Sequence, residues 1–465
     1  MEKIKSIVEW VYTHAMKTPE KQCISSTDGK YTYLEFWEKI KRNAFVLRKN
    51  GIQKEDKVLL EGVSTATYFS ILLAIQLLGA IAVPVEKNIK QARIDEISKE
   101  MNPKLVLREK DFSSLLVSRE TQEEIQEWKV VFPDVDLVQE ILYTSGTTGK
   151  PKGVMITHRM QAGISQNAND TIWYPDSTVW FIATPTNHGG ALRRAYMAFQ
   201  KGASVVVHDG FKDIKSIFHM IEEYKATALF LPPSVIHFMI LMCREKLQAL
   251  DGQLDFIYSS GSMLLESDKK ELNKILPSVR KYDVYSSTEA GDIGFIRYDT
   301  LLDNVENKKA FTLFPKVKLS IIDSRLAIES PHLMKGYFGI AETIGKKVFI
   351  SSDIGVCRDK THFILTGRAD DVCNINGLKV SCSEVEDKAE QWQGVQEACC
   401  VFKNKNEFSK YLELYIVEKD SSVVDKKALA LYLLEQLETY KVPKNIYIVA
   451  EIPKTANGKI LKSEL

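Results

Sequence analysis

The sequence predicts an α/β fold class: a large N-terminal domain of layered α/β subdomains over residues 1–367, then a small α+β domain over residues 368–465. Three observations lead there. The chain has 465 residues, more than the roughly 250–300 at which a single core stops growing. Helix-like and strand-like segments alternate through most of it, the pattern of parallel strands covered by helices. That alternation changes texture after about residue 365, where "GRADDVCNINGLKVSCSEVEDKAEQW", "EACCVFKN" and "YLELYIVEKD" read as a separate small unit. The boundary falls within residues 365–370.

The elements follow in order. "YLEFWEKIKRNAFVLRKNG" is an amphipathic helix stopped by Gly51, and "DKVLLEG" is a strand. The longest apolar run is "YFSILLAIQLLGAIAVPV", residues 68–85, interrupted by Ser70, Gln76 and Gly79 and closed by Pro84. A membrane span needs about 20 mostly apolar residues. The run therefore reads as a buried helix ending at Gly79, followed by the strand "AIAVPV". "SIFHMIEEYKAT" and "ALFLPP" repeat the helix–strand order. "LDFIYSSGS" and "KYDVYSSTEAG" each pass from an apolar strand into a polar turn of small residues, where α/β sheets place their ligands. Internal repeats and low-complexity tracts are absent.

Composition narrows the function. With 45% hydrophobic and 26% charged residues this is the balance of a soluble globular protein, and a net charge of +1 gives no electrostatic reason for nucleic acid or an anionic membrane as partner. The cysteines (Cys23, Cys243, Cys357, Cys373, Cys382, Cys399 and Cys400) are scattered, without a C-x-x-C pair. Such a set reads as reduced thiols in a cytoplasmic protein rather than a disulfide framework or zinc site. The N-terminal "MEKIKSIVEWVYTHAMK" carries acidic residues and no long apolar core, so it does not read as a secretory signal.

The most informative stretch is "ILYTSGTTGKPKGVMITH", residues 141–158. A P-loop needs G-x-x-x-x-G-K-[ST], and here Gly149 and Lys150 are followed by Pro151, so that pattern fails. What remains is "TSGTTGKPKG", entered from the strand "EILY". Its glycines let backbone N–H groups approach a polyphosphate closely. Ser145, Thr147 and Thr148 add hydroxyls, and Lys150 or Lys152 neutralises charge. A solvated turn is the plainer alternative.

This run also resembles the phosphate-binding signature of the adenylate-forming superfamily, which includes acyl-CoA synthetases, peptide-synthetase adenylation domains and firefly luciferase. The resemblance extends from end to end. "YTYLEF" and "LGAIAVP" look like its early structural motifs, "PTNHGG" like its P-x-x-H segment, and "YSSTE" like Y-G-x-T-E. "SSDIG" looks like T-G-D, "GRADDVCNINGLKVSCSEVE" like its hinge motif, and "PKTANGKI" like its terminal lysine motif.

That resemblance implies ATP, Mg²⁺ and coenzyme A as cofactors and roles for particular residues. Thr144, Ser145, Gly146, Thr147, Thr148, Gly149 and Lys152 would hold the β- and γ-phosphates. Thr288 would contact phosphate oxygens, and Glu289, with Thr144, would hold Mg²⁺, which prefers oxygen ligands. Tyr285 would offer a face to adenine and Asp283 an acceptor for its amine; Asp353 and Arg368 would contact the ribose. His188 would border the acyl group. Lys459 would stabilise the charge developing between carboxylate and α-phosphate, as the main catalytic residue. The C-terminal domain would be mobile, turning about Asp370, and Gly377 would line the tunnel for a phosphopantetheine thiol.

Three positions depart from the family: Ser286 and Ser352 stand where it has glycine, and Cys382 where it has proline. Cys382 reads as structural. "PTNHGGALRR" lacks the aspartate that pairs with an amino group, which argues against an amino-acid substrate. Arg193 and Arg194 could meet a second carboxylate, but on a helix they read as surface charges. The expected activity is ATP-dependent activation of a fatty or aromatic carboxylic acid, then transfer to CoA. The alternatives are transfer to a carrier-protein phosphopantetheine, or a nucleotide-binding sensor or scaffold without turnover.

Overall fold

Local chemistry sets the first elements of the computed structural model, which describes residues 4–113, 122–144, 151–211, 213–261, 264, 266–300, 310–368, 372–375, 378–404, 410–419, 423–453 and 462–465. Helix Tyr33–Lys49 begins at a capping box. The Thr32 hydroxyl accepts from the Glu35 N–H at 3.3 Å, and Glu35 Oε2 accepts from the Thr32 N–H at 2.8 Å. Gly51, at φ 83°, ends it in the left-handed region. The long apolar run is helix Ala66–Leu77, capped by Thr65 and buried almost all round, followed by strand Ile81–Val85. Gly79, at φ 69°, makes the turn between them. Among the described residues no helix is long and apolar enough to cross a membrane.

The chain divides into two compact units. One comprises Met1–Lys87, Pro103–Leu142 and Gly153–Thr366; the other comprises Asn88–Asn102, Tyr143–Lys152 and Gly367–Leu465.

The first unit is built on two sheets. A six-stranded sheet has the order Gly336–Tyr337, Lys152–Thr157, Val138–Thr144, Ile81–Val85, Lys57–Glu61, Leu105–Leu107. Lys57–Glu61 runs parallel to both Ile81–Val85 and Leu105–Leu107. The second sheet is 13-stranded and mixed. Strands Arg280–Ser287, Phe256–Ser260, Ala228–Phe230, Val179–Ile182, Ser204–Val207 and Gln22–Ser26 are parallel neighbours in that order. Beyond Arg280–Ser287 the pairing becomes antiparallel, through Gly291–Arg297, Ala310–Leu313 and His362–Arg368.

The expected parallel pairing thus makes up one part of this sheet, and antiparallel pairing the rest. The reason is local. The chain leaves Ser287 and re-enters at Gly291, too short a connection for a crossover helix, so the next strand can only pair antiparallel.

The second unit holds the hairpin Val372–Ile375 and Leu378–Ser381, helix Cys382–Glu390, the sheet Val395–Asn404, Lys410–Glu418 and Asn445–Ile448, and helix Lys426–Gln436. Its own core includes Val385, Leu414, Ile416, Leu429 and Leu433, together with Cys382, whose thiol is buried as a small apolar group.

Candidate active site

Strand Arg280–Ser287 carries two of the expected site residues, Asp283 and Tyr285, toward its C-terminal end. It lies parallel to Phe256–Ser260, with Ser259 opposite Asp283 and Ser260 opposite Val284. Two serines close the gap at the strand ends: Ser260 Oγ and Ser286 Oγ are hydrogen-bonded at 2.9 Å. Ser286, in the family's glycine position, thus has its hydroxyl held by the neighbouring strand. The Ser259 hydroxyl is buried and has no hydrogen-bond partner among the described residues.

Asp283 is 1% exposed, and Lys269 Nζ from helix Glu266–Ile275 stands 3.1 Å from its Oδ2. Burial pushes the Asp283 carboxyl up from its usual range, and the Lys269 ammonium opposes that shift. Two residues on, Tyr285 donates from Oη to Asp353 Oδ2 at 2.6 Å. Its ring packs edge-on to Phe363 and Phe311, centroids 5.8 and 6.2 Å away, which fixes its plane. The Asp353 N–H donates to Ser351 Oγ at 3.0 Å, tying together the "SSDIG" stretch of strand Val348–Cys357.

Beyond Ser287 the chain turns through Thr288 and Glu289. Glu289 is buried; its carboxylate accepts from Tyr337 Oη at 3.0 Å, and its backbone carbonyl accepts from the Met334 N–H at 2.7 Å. The Glu289 charge helps push the Tyr337 phenol up, after burial. Gly291 completes the turn at φ 77°, where a Cβ would also lie 2.7 Å from Ile164. Glycine is required there on both counts.

The two arginines expected at the surface are buried instead. Helix Gly189–Lys201, with His188 as its N-cap residue, presents Arg193 and Arg194 inward, 3% and 2% exposed. Arg193 donates from Nη1 to the Ser287 carbonyl at 2.6 Å and from Nη2 to the Thr288 carbonyl at 2.7 Å. Arg194 Nη2 pairs with Asp292 Oδ2 at 2.7 Å, and its guanidinium lies over the Tyr258 ring, 4.1 Å from the centroid. Buried acceptors and an aromatic face replace the water that a surface arginine would have.

A further polar cluster sits behind the same helix. Glu140, on strand Val138–Thr144, accepts from Tyr196 Oη at 2.8 Å, and Tyr196 in turn accepts from Gln76 Nε2 at 2.9 Å. Burial pushes the Glu140 carboxyl up to about 7.

The structure therefore brings Asp283, Tyr285, Thr288, Glu289 and Asp353 to the region where Arg280–Ser287 ends, and wires the helix after His188 to it. His188 is half-buried. Thr144 ends strand Val138–Thr144 and Lys152 begins strand Lys152–Thr157, and Thr144 Oγ1 donates to the Lys152 carbonyl at 3.5 Å. Arg368 ends strand His362–Arg368. Ser145, Gly146, Thr147, Thr148, Gly149, Asp370, Gly377 and Lys459 lie outside the described residues. Arg193 was read as a surface charge, and Lys269 and Tyr337 were not anticipated as site residues. No local signal marks them, because each acts on a motif distant in sequence.

The AMP-binding enzyme family matches residues 11–338, and the AMP-binding enzyme C-terminal domain matches residues 384–459. The chain belongs to the AMP-binding enzyme family. This AMP-binding enzyme is similar to a feruloyl-CoA synthase of Amycolatopsis sp., 24% identical over 98% of this chain and 97% of the relative. It is also similar to a fatty acid–[acyl-carrier-protein] ligase of Streptomyces coeruleorubidus, 22% identical over 99% of this chain and 96% of that one. Among solved structures, o-succinylbenzoate CoA synthetase from Bacillus subtilis superposes with a TM-score of 0.84 at 20% identity, covering 98% of each chain. The mixed α/β architecture of the AMP-binding enzyme, with a large and a small domain, is that of this group.

Proposed function

We propose that this AMP-binding enzyme activates a monocarboxylic acid, fatty or aromatic, and transfers it to coenzyme A. The acid's carboxylate oxygen attacks the α-phosphorus of ATP, the bond to the bridging oxygen breaks, and pyrophosphate leaves. The CoA thiol gives its proton to solvent, the resulting thiolate attacks the acyl carbonyl, and the carbon–oxygen bond to AMP breaks.

One observation carries the reading: Tyr285, held by Asp353, and the turn Thr288–Glu289, held by Arg193, form one preorganised rim at a parallel strand's C-terminal end. Such rims bind nucleotides in α/β sheets. The Tyr285 ring offers a face to adenine, Asp283 an acceptor for its amine, and Asp353 an acceptor for ribose hydroxyls; Arg368 is the second ribose contact. Thr288, with residues 144–149 and Lys152, receives the phosphates. Glu289 and Thr144 would supply hard oxygen donors of the kind that suits Mg²⁺. When bound it would neutralise phosphate charge. Lys459 stabilises the charge of the transfer step, His188 borders the acyl group, Asp370 is the hinge and Gly377 lines the thiol path.

Arg193 and Arg194 bear on the substrate. Both guanidinium groups are committed to protein acceptors, which disfavours a dicarboxylic acid that would need them for its second carboxylate. Carrier-protein phosphopantetheine is the second reading for the acceptor, supported by the similarity to a fatty acid–[acyl-carrier-protein] ligase. A cytoplasmic setting is supported by the scattered cysteine pattern.

The test is acid-dependent ATP–pyrophosphate exchange across fatty, aryl, dicarboxylic and amino acids, for wild type and Lys459→Ala. Exchange with one monocarboxylic class, lost in the variant, is expected. Adding CoA or a phosphopantetheinylated carrier then names the acceptor. Exchange retained by Lys459→Ala would remove that residue's role, and exchange with no acid would favour binding without turnover.

A further inference from the structure

The fork of Arg193 engages consecutive carbonyls, Ser287 at 2.6 Å and Thr288 at 2.7 Å. These two carbonyls belong to the peptide planes on either side of the Thr288 Cα. A peptide plane is rigid, so holding both planes fixes φ and ψ of Thr288 together. The direction of the Thr288 side chain, and of the chain entering Glu289, then follows. Neighbouring bonds complete the frame: the Ala290 N–H donates to Ser287 Oγ at 3.1 Å, and the Met334 N–H holds the Glu289 carbonyl.

Only a planar, two-pronged donor can do this. A lysine ammonium is a point charge on a flexible stem and cannot hold two planes in a fixed relation. Arg193 itself is held in place. It projects from a helix packed in the main core, and Asp292 and Glu140 contribute favourable charge around a guanidinium that burial disfavours. The cost of burying that cation argues against a mere space-filling role, since an apolar side chain would fill the volume more cheaply.

We propose that Arg193 is a positioning residue for the nucleotide's polyphosphate: it sets the geometry of Thr288 and Glu289, and the adjacent Arg194 does not. The inference rests on the reading of Thr288 and Glu289 as the phosphate and metal stations. It goes beyond that reading in naming what preorganises them, and in predicting that the effect is confined to the phosphate end of the nucleotide.

The experiment is calorimetric binding of α,β-methylene-ATP with Mg²⁺, and separately of adenosine, to the full chain. Arg193→Lys is expected to weaken the triphosphate analogue about tenfold, the loss of one charge-assisted hydrogen bond, and to leave adenosine within about twofold. Arg194→Lys, equally buried on the same helix, is expected to shift both ligands by the same factor. Equal weakening of both ligands by Arg193→Lys, or no weakening of the analogue, overturns the proposal. Should that variant fail to fold, Arg193→Gln, which retains a planar donor to one carbonyl, gives the same comparison. Failure of both to fold makes Arg193 a folding residue only and also overturns it. Thr288→Ala and Glu289→Gln, run alongside, test the underlying reading. If neither weakens the analogue relative to adenosine, that reading is wrong whatever Arg193→Lys does.

Discussion

The Tyr285 hydroxyl donates to Asp353 Oδ2 at 2.6 Å, joining two motifs that lie 68 positions apart in sequence. A phenol on a carboxylate is a charge-assisted bond, which orients the acid and steadies the ring beside it. Removing the hydroxyl tests whether that linkage serves nucleotide binding. Tyr285→Phe keeps the ring and is expected to weaken binding of both adenosine and α,β-methylene-ATP about three- to tenfold, read by calorimetry. Unchanged affinity for both would detach the pair from the nucleotide site.

Arg194 and Asp292 form a buried pair whose partners should not behave independently. Arg194→Met leaves a carboxylate uncompensated in the core and is expected to cost about 3–5 kcal/mol in urea denaturation. Arg194→Met combined with Asp292→Leu is expected to cost much less than the sum of the single changes. An additive double variant would show that the two charges do not depend on each other.

Glu140 makes stability depend on pH in a stated direction. Its folded-state carboxyl is pushed up to about 7 by burial, above its ordinary value, so the folded protein holds that proton more tightly than the unfolded chain. Its contribution is fully present below about pH 4.5 and is lost as pH rises to about 7. Glu140→Gln is therefore expected to be more stable than wild type at pH 8, by on the order of 3 kcal/mol, and to match it near pH 4. Equal stabilities at both pH values would refute the burial argument.

His158 acts in the opposite sense. Both its ring nitrogens are buried without hydrogen-bond partners among the described residues, and burial pulls it down to about 3. The unfolded chain binds the proton first, so stability is lost as pH falls from about 6.5 toward 3. His158→Phe is expected to flatten that acid limb in thermal melts recorded at successive pH values. An acid limb of unchanged slope would assign it to other groups.

Gly291 sits at φ 77°, with the space for a Cβ taken by Ile164. Gly291→Ala is expected to destabilise the protein by about 1–3 kcal/mol, seen as a lower urea midpoint at unchanged slope. Because the turn also carries Glu289, binding of α,β-methylene-ATP is expected to fall in the folded fraction as well. A neutral substitution would show that the turn tolerates an L residue.

Much of the fold was legible from local pattern. Helix Tyr33–Lys49 follows from amphipathic spacing stopped by Gly51, and the buried helix Ala66–Leu77 from a long, mostly apolar run ending at Gly79. Strands Phe256–Ser260 and Arg280–Ser287 announce themselves by apolar runs ending in small polar residues. The change from parallel to antiparallel pairing at Gly291 was not anticipated. It depends on how few residues separate two strands, which becomes clear only once both strand ends are known.

The site divides along the same line. The sequence by itself determined the family and the order of its motifs, because each motif is a short run whose residue types suit one ligand group. Asp283, Tyr285, Thr288, Glu289 and Asp353 could be named that way. Only the tertiary structure decided which of these touch, and what stands behind them. Arg193 and Arg194 read as surface charges because a cation on a helix is normally solvated; packing turned that helix face inward and supplied the Ser287 and Thr288 carbonyls and Asp292 in place of water. Periodicity records which way a side chain points along its own helix, but not what lies there. The acceptors that make a buried guanidinium tolerable come from strands about a hundred residues away, and only folding brings them within hydrogen-bond reach.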